Sequence, residues 1–64
     1  MRINRARYDL EGLTLFQDGE YIAVGEYHSG SYRCEVTEID EDGNETSATT
    51  RLLTPVDLIG AETI

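Results

Sequence analysis

The sequence predicts an all-β protein: a small antiparallel meander of four to five strands, a small barrel or half-sandwich, ending in a short C-terminal helical turn. Three observations predict it. Tyr32, Cys34 and Val36 alternate with Arg33, Glu35 and Thr37, and only a strand sends successive side chains to opposite faces. Glycine-containing turn signals recur at Glu11-Gly12, Asp18-Gly19, Ser29-Gly30 and Gly43-Asn44, at the short spacing of a β-meander. Thr46, Ser47, Ala48, Thr49 and Thr50 form a threonine-rich run that suits a returning strand.

The elements follow in chain order. Residues 1–4 read as a flexible basic arm or the start of an edge strand. Ala6, Tyr8 and Leu10 alternate with Arg5, Arg7 and Asp9, which fits a first strand. Leu13 to Phe16 is a short apolar run and a second strand. Asp18-Gly19 is a hairpin turn, because both residues tolerate positive φ. Glu20 to Tyr27 is a third, central strand, and Gly25 within it marks a bulge or a close crossing. His28-Ser29-Gly30 turns the chain into the fourth strand, Ser31 to Ile39. An acidic turn, Asp40-Glu41-Asp42-Gly43-Asn44, leads to the threonine-rich fifth strand, Thr46 to Leu53. Thr54, Pro55 and Asp57 then stand at the cap, first and third positions of a helical start. This predicts a helical turn over Pro55 to Ile59 that stops near Gly60.

The hairpin of residues 30–50 resembles a known family. Tyr32-x-Cys34-x-Val36, Ile39-Asp40 and Gly43-Asn44-Glu45-Thr46 look like the last hairpin of a fibronectin type III or related immunoglobulin-like domain. That resemblance implies a binding or structural module rather than an enzyme. The rest of the chain departs from the pattern. It has no tryptophan, Glu38 stands where a small inward residue is usual, and such sandwiches run to about 100 residues.

Composition bounds the function. Sixty-four residues make one small domain, residues 1–64, with a thin core. Cys34 is the only cysteine, so there is no internal disulfide and a reducing compartment fits. The net charge is −8, with thirteen acids, five arginines and no lysine. Arg2, Arg5 and Arg7 crowd the start, and residues 8–64 hold thirteen acids against two arginines, a net −11. Such a field repels nucleic acid and anionic membranes and attracts basic protein surfaces. No apolar run is long enough for a helical membrane span, and no apolar region follows the basic start as a secretory signal requires. An intracellular place in a host cytoplasm, or a virion-associated one, is the expectation. A chain opening on methionine without a tag reads as a complete small protein.

Catalytic and metal chemistry find little footing. Cys34 falls on the apolar face and reads as an inert core thiol. His28 stands beside a turn as a solvated imidazole. One His and one Cys fall short of a zinc set. The acidic turn fails the EF-hand pattern, since from Asp40 the glycine comes at the fourth position and Arg51 at the twelfth. No phosphate-cradling glycine loop is present, and a meander of this size leaves little room for a cleft between paired carboxylates. No cofactor and no metal are expected, and the protein reads as a non-enzyme.

Two functional readings remain. In the first, Glu35, Glu38, Asp40, Glu41, Asp42 and Glu45 bind a basic partner protein, as a phage-type inhibitor or nucleic-acid mimic does. Glu20 and Glu26 on the neighbouring strand extend that cluster. In the second, the chain is a small structural virion or assembly subunit, capsid-decorating or tail-associated. It then self-associates through Ile3, Val56, Leu58, Ile59 and Ile64, with residues 54–64 as a docking tail.

Overall fold

The computed structural model describes residues 10–64, and these form one five-stranded antiparallel sheet without a helix. The strands are β1 (Thr14–Gln17), β2 (Glu20–His28), β3 (Ser31–Ile39), β4 (Glu45–Leu53) and β5 (Glu62–Thr63). Their order across the sheet is β4-β3-β2-β1-β5. The first four are an up-and-down meander. The chain then crosses from the β4 edge to the opposite edge and adds β5 beside β1.

Two tight turns set the registers. Asp18 and Gly19 have φ of 51° and 77°, and Ser29 and Gly30 have φ of 51° and 88°. Positive φ at both central residues is the type I′ geometry that matches strand twist. The first turn pairs Gln17 with Glu20, and the second pairs His28 with Ser31. His28 therefore ends a strand rather than opening the turn.

The registers stack one apolar face. Leu15 lies opposite Ile22, and Ile22 opposite Val36; Val24 lies opposite Cys34. These residues, with Tyr32 and Leu58, are the buried core, and Leu10, Leu13, Tyr27, Leu53 and Ala61 pack against it. The Tyr27 and Tyr32 rings meet at 4.9 Å between centroids. No polar or charged side chain among the described residues is buried.

Gly25 sits in a β-bulge, where the β2–β3 register slips between Val24 and Tyr27. A Cβ at this position would stand 2.4 Å from the Arg33 carbonyl oxygen. Only glycine lets the two central strands approach so closely. A second slip, between Glu38 and Ile39, leaves Thr46 unpaired against β3.

Three expectations need correction. The predicted C-terminal helical turn does not form. Thr54 and Asp57 do make the reciprocal capping bonds, Asp57 N–H to Thr54 Oγ1 at 3.2 Å and Thr54 N–H to Asp57 Oδ2 at 2.9 Å. Overlapping turns follow, with amides of Asp57, Leu58 and Ile59 bonded three residues back. Gly60 at φ 90° then ends the run, too early to repay helix nucleation. The sheet is also not a closed barrel: β4 and β5 are its two edges among the described strands, and β5 has only two residues. Finally, the fifth strand is β5 at the C-terminus, which the sequence reading did not anticipate. The strand expected from Arg5 to Leu10, and the basic arm of residues 1–4, lie outside the described residues except for Leu10, which is in a turn.

Candidate functional site

The acidic turn is built by its first residue. The Asp40 carboxylate accepts the amides of Asp42 at 2.9 Å and Asn44 at 2.8 Å. Its carbonyl accepts the Gly43 amide at 3.0 Å, and its own amide donates to the Asn44 carbonyl at 2.9 Å. Gly43 takes φ 86°, the left-handed position that closes this type of loop. Asp40 is thus the acceptor that shapes the turn, whereas Glu41 and Asp42 project from it exposed.

An up-and-down meander places its first and third turns at the same end of the sheet. The bond from the Ile39 amide to the Gly19 carbonyl, 3.0 Å, joins those two turns directly. Seven acids therefore share this end: Asp18, Glu20, Glu38, Asp40, Glu41, Asp42 and Glu45. Arg51 lines a small recess there beside Glu20 and Glu38.

Glu20 and Glu38 are directly opposed across β2 and β3. Because Ile39 bonds to Gly19, the next pair is a non-hydrogen-bonded one, where side chains come closest. Both point to the core face, continuing the Ile22–Val36 column. Like charges in such a pair are destabilising. The only side-chain bond to the Glu38 carboxylate within the described residues comes from the Ser47 hydroxyl at 3.1 Å.

Glu35 and Glu45 lie on the other face of the sheet. They line a shallow recess of about 360 Å³ with Thr14, Tyr21, Ala23, Thr37 and Ile64. The exposed Tyr21 ring is braced edge-on by Phe16 at 5.4 Å. The six predicted acids thus divide three ways: Glu38 on the core face, Asp40 to Asp42 at the tip, Glu35 and Glu45 on the outer face. Glu26 leaves the cluster, since it stands in the bulge toward the opposite end. Asp18 joins it. Its Asp-Gly turn signal was visible in the sequence, but the end of the sheet it occupies follows only from strand order.

The predicted assembly residues also separate. Leu58 is 6% exposed and belongs to the core, so the crossover seats itself on the sheet. Val56, Ile59 and Ile64 are exposed at 72, 73 and 71%. Ile3 lies outside the described residues.

Cys34 is 1% exposed and its thiol points at the Tyr32 carbonyl at 3.6 Å. Burial pushes its pKa up, and a bond with the Gly25 backbone pulls less strongly the other way. His28 is exposed in a recess with Glu26, Ser29 and Arg33. Among the described residues no three His, Cys, Asp or Glu side chains converge to hold a metal ion, and no helix is long and apolar enough to cross a membrane.

No protein-family model, curated protein or solved structure matches this chain.

Proposed function

We propose that this chain is a non-enzymatic, acidic protein-binding module, whose carboxylate-rich sheet end engages a basic surface on a protein partner. The observation that carries this reading is the gathering of seven acids at one end, two of them directly opposed. A small domain bears that repulsion at a cost to its stability, and a cationic partner surface offsets it. Side chains on one face of a strand recur at steps of about 6.6 Å, and neighbouring strands lie about 4.8 Å apart. Duplex DNA carries one phosphate per 3.4 Å of each strand. A cluster of carboxylates spaced at several ångströms suits a basic groove that ordinarily holds nucleic acid, and the protein acts as an inhibitor or nucleic-acid mimic, of the phage type, within a host cell.

The test uses the exposed acids that do not shape the turn. In Glu41→Lys, Asp42→Lys, Glu45→Lys the fold is kept, because Asp40 remains in place. The wild-type protein recovers a nucleic-acid-binding protein from host lysate at low salt, loses it at high salt, and is displaced by duplex DNA. The triple variant recovers none. Recovery that survives both the substitutions and high salt overturns the reading.

A second reading is favoured by the exposure of Val56, Ile59 and Ile64. In it the protein is a small structural subunit of a virion or other assembly, held through these apolar side chains. Replacing all three with serine then abolishes association and leaves salt-sensitive capture untouched.

A further inference from the structure

We propose that β4 pairs with β4 of a second copy, in antiparallel register about a two-fold axis at Thr50, to give a continuous ten-stranded sheet. This inference rests on the open edge and stands independently of the acidic end.

The two sheet edges differ. β5 has two residues, whereas β4 has nine, all exposed except the half-buried Leu53. A long edge is a template for further pairing unless lysine, proline or a cover blocks it. β4 reads ETSATTRLL, with neither residue. No described strand lies beyond it.

Hydrogen-bond parity tells which groups face outward. The Ile39 amide bonds toward β2. Backbone groups alternate sides along a strand, so those of Cys34, Val36 and Glu38 face β4. Their partners there are Arg51, Thr49 and Ser47. The N–H and C=O groups of Ala48, Thr50 and Leu52 therefore point away from the sheet. The slip at Thr46 breaks the pattern below Ala48, so these three residues are the regular outward set. A two-fold axis at Thr50 uses all of them: Thr50 meets its own copy, and Ala48 meets Leu52 in both directions.

The side chains fit a second copy of this chain. Leu52 is 71% exposed on a strand rich in hydroxyl residues. The pairing lays it against the partner's Ala48 on the same face, and opposed Thr50 side chains form a favourable cross-strand pair. Charge selects the same edge. The protein is at −8, so most of its surfaces repel a second copy. β4 holds one acid, Glu45, and one base, Arg51, and is the long strand with no net charge. The antiparallel arrangement also sends the two acidic tips to opposite ends of the joined sheet.

Three outward residues per copy make a small interface, below the roughly 1,200 Å² of standard complexes, so association is weak. Sedimentation of the full chain from about 10 μM to about 1 mM reads the mass rising from 7.2 kDa toward twice that value. Thr50→Pro removes only an outward N–H, the position an edge strand tolerates, and weakens association at least about tenfold. Thr50→Lys sets two ammonium groups face to face and does the same, which keeps the test open if the proline variant unfolds. Thr50→Cys gives the register. Opposed Cα atoms of a hydrogen-bonded pair lie about 5.5 Å apart, within disulfide range, and native Cys34 is buried. This variant cross-links on mild oxidation at least about tenfold faster than Asp42→Cys at the tip. A mass that stays at 7.2 kDa throughout overturns the proposal. So does a dimer indifferent to the Thr50 substitutions and lost in Ile59→Asp.

Discussion

Replacing Gly25 with alanine tests the close approach of β2 to β3 at the bulge. The new Cβ would stand 2.4 Å from the Arg33 carbonyl oxygen, against 3.4 Å or more for ordinary contact. The atom it meets is backbone in a central strand, so no side-chain rotation relieves the clash. β2 and β3 must part locally by about 1 Å, an overpacking that costs about 1–3 kcal/mol. A chain of 64 residues has a total stability of about 3–10 kcal/mol at typical per-residue values. Each kcal/mol moves the melting point of so small a domain by about 4–8 °C. Gly25→Ala is therefore expected to melt about 5–20 °C below wild type by circular dichroism. Adding Arg33→Ala should not rescue it, because the obstructing oxygen belongs to the main chain. A Gly25→Ala protein melting within about 3 °C of wild type, or one rescued by truncating Arg33, would refute the reasoning.

Three further outcomes follow from the packing and charge. Leu58→Ala empties the seat of the crossover and should cost about 2–5 kcal/mol, lowering the urea midpoint and exposing the β5 amides to hydrogen exchange; an unchanged midpoint would show that Leu58 does not hold the crossover. Glu20→Gln removes one of two opposed like charges and should stabilise by about 0.2–1 kcal/mol, more at low salt than at high; a loss of stability would mean that the attraction of Glu20 to Arg51 outweighs its repulsion by Glu38. The buried Cys34 thiol has a raised pKa, so the unfolded chain loses this proton first as pH climbs past the ordinary thiol value of about 8.5. Above that value the unfolded state binds fewer protons, and this contribution to stability is present below it and falls as pH rises. Cys34→Ala should flatten that alkaline decline in urea melts, and an equally steep decline in the variant would assign it elsewhere.

Local patterns carried much of this fold, and non-local ones did not. Alternation from Tyr32 to Thr37 and the Asp18-Gly19 and Ser29-Gly30 turns place β2 and β3 to within a residue, because strand faces and type I′ turns are properties of neighbouring residues. Gly25 likewise announced the bulge. The helical turn after Thr54 failed for a countable reason. Its capping bonds form, but only five residues separate the Thr54 cap from Gly60, and nucleation is the costly step. β5 was hidden because Glu62–Thr63 has no strand pattern of its own; it is extended only because β1 offers it a free edge. The same distinction holds for the site. The acids of the third turn are adjacent in sequence and were readable, whereas the Glu20–Glu38 opposition and the place of Asp18 depend on register across strands.

The two surfaces assigned to partners are also the two places where the sheet gives up core. The buried core face is a band from Leu15 through Ile22 and Val24 to Cys34, Val36 and Tyr32, flanked by partly buried Leu13 and Leu53. Toward one end the Ile22–Val36 column continues into Glu20 and Glu38, and toward one edge Val36 and Cys34 are followed by Thr49 and Arg51. Apolar residues at those positions would widen a core of only seven buried side chains among the described residues, and each would add about 1.5–3 kcal/mol on full burial. In a domain whose whole stability is a few such increments, polar residues there are expensive if the monomer acts alone. They are less so if the acidic end meets cations and the threonine-rich edge meets another strand. Stabilising the monomer by Glu20→Val, Glu38→Val and Thr49→Val should therefore raise its melting point while weakening binding at the acidic end. If the variant instead binds a basic partner as well as wild type, the carboxylates at that end are not its contact.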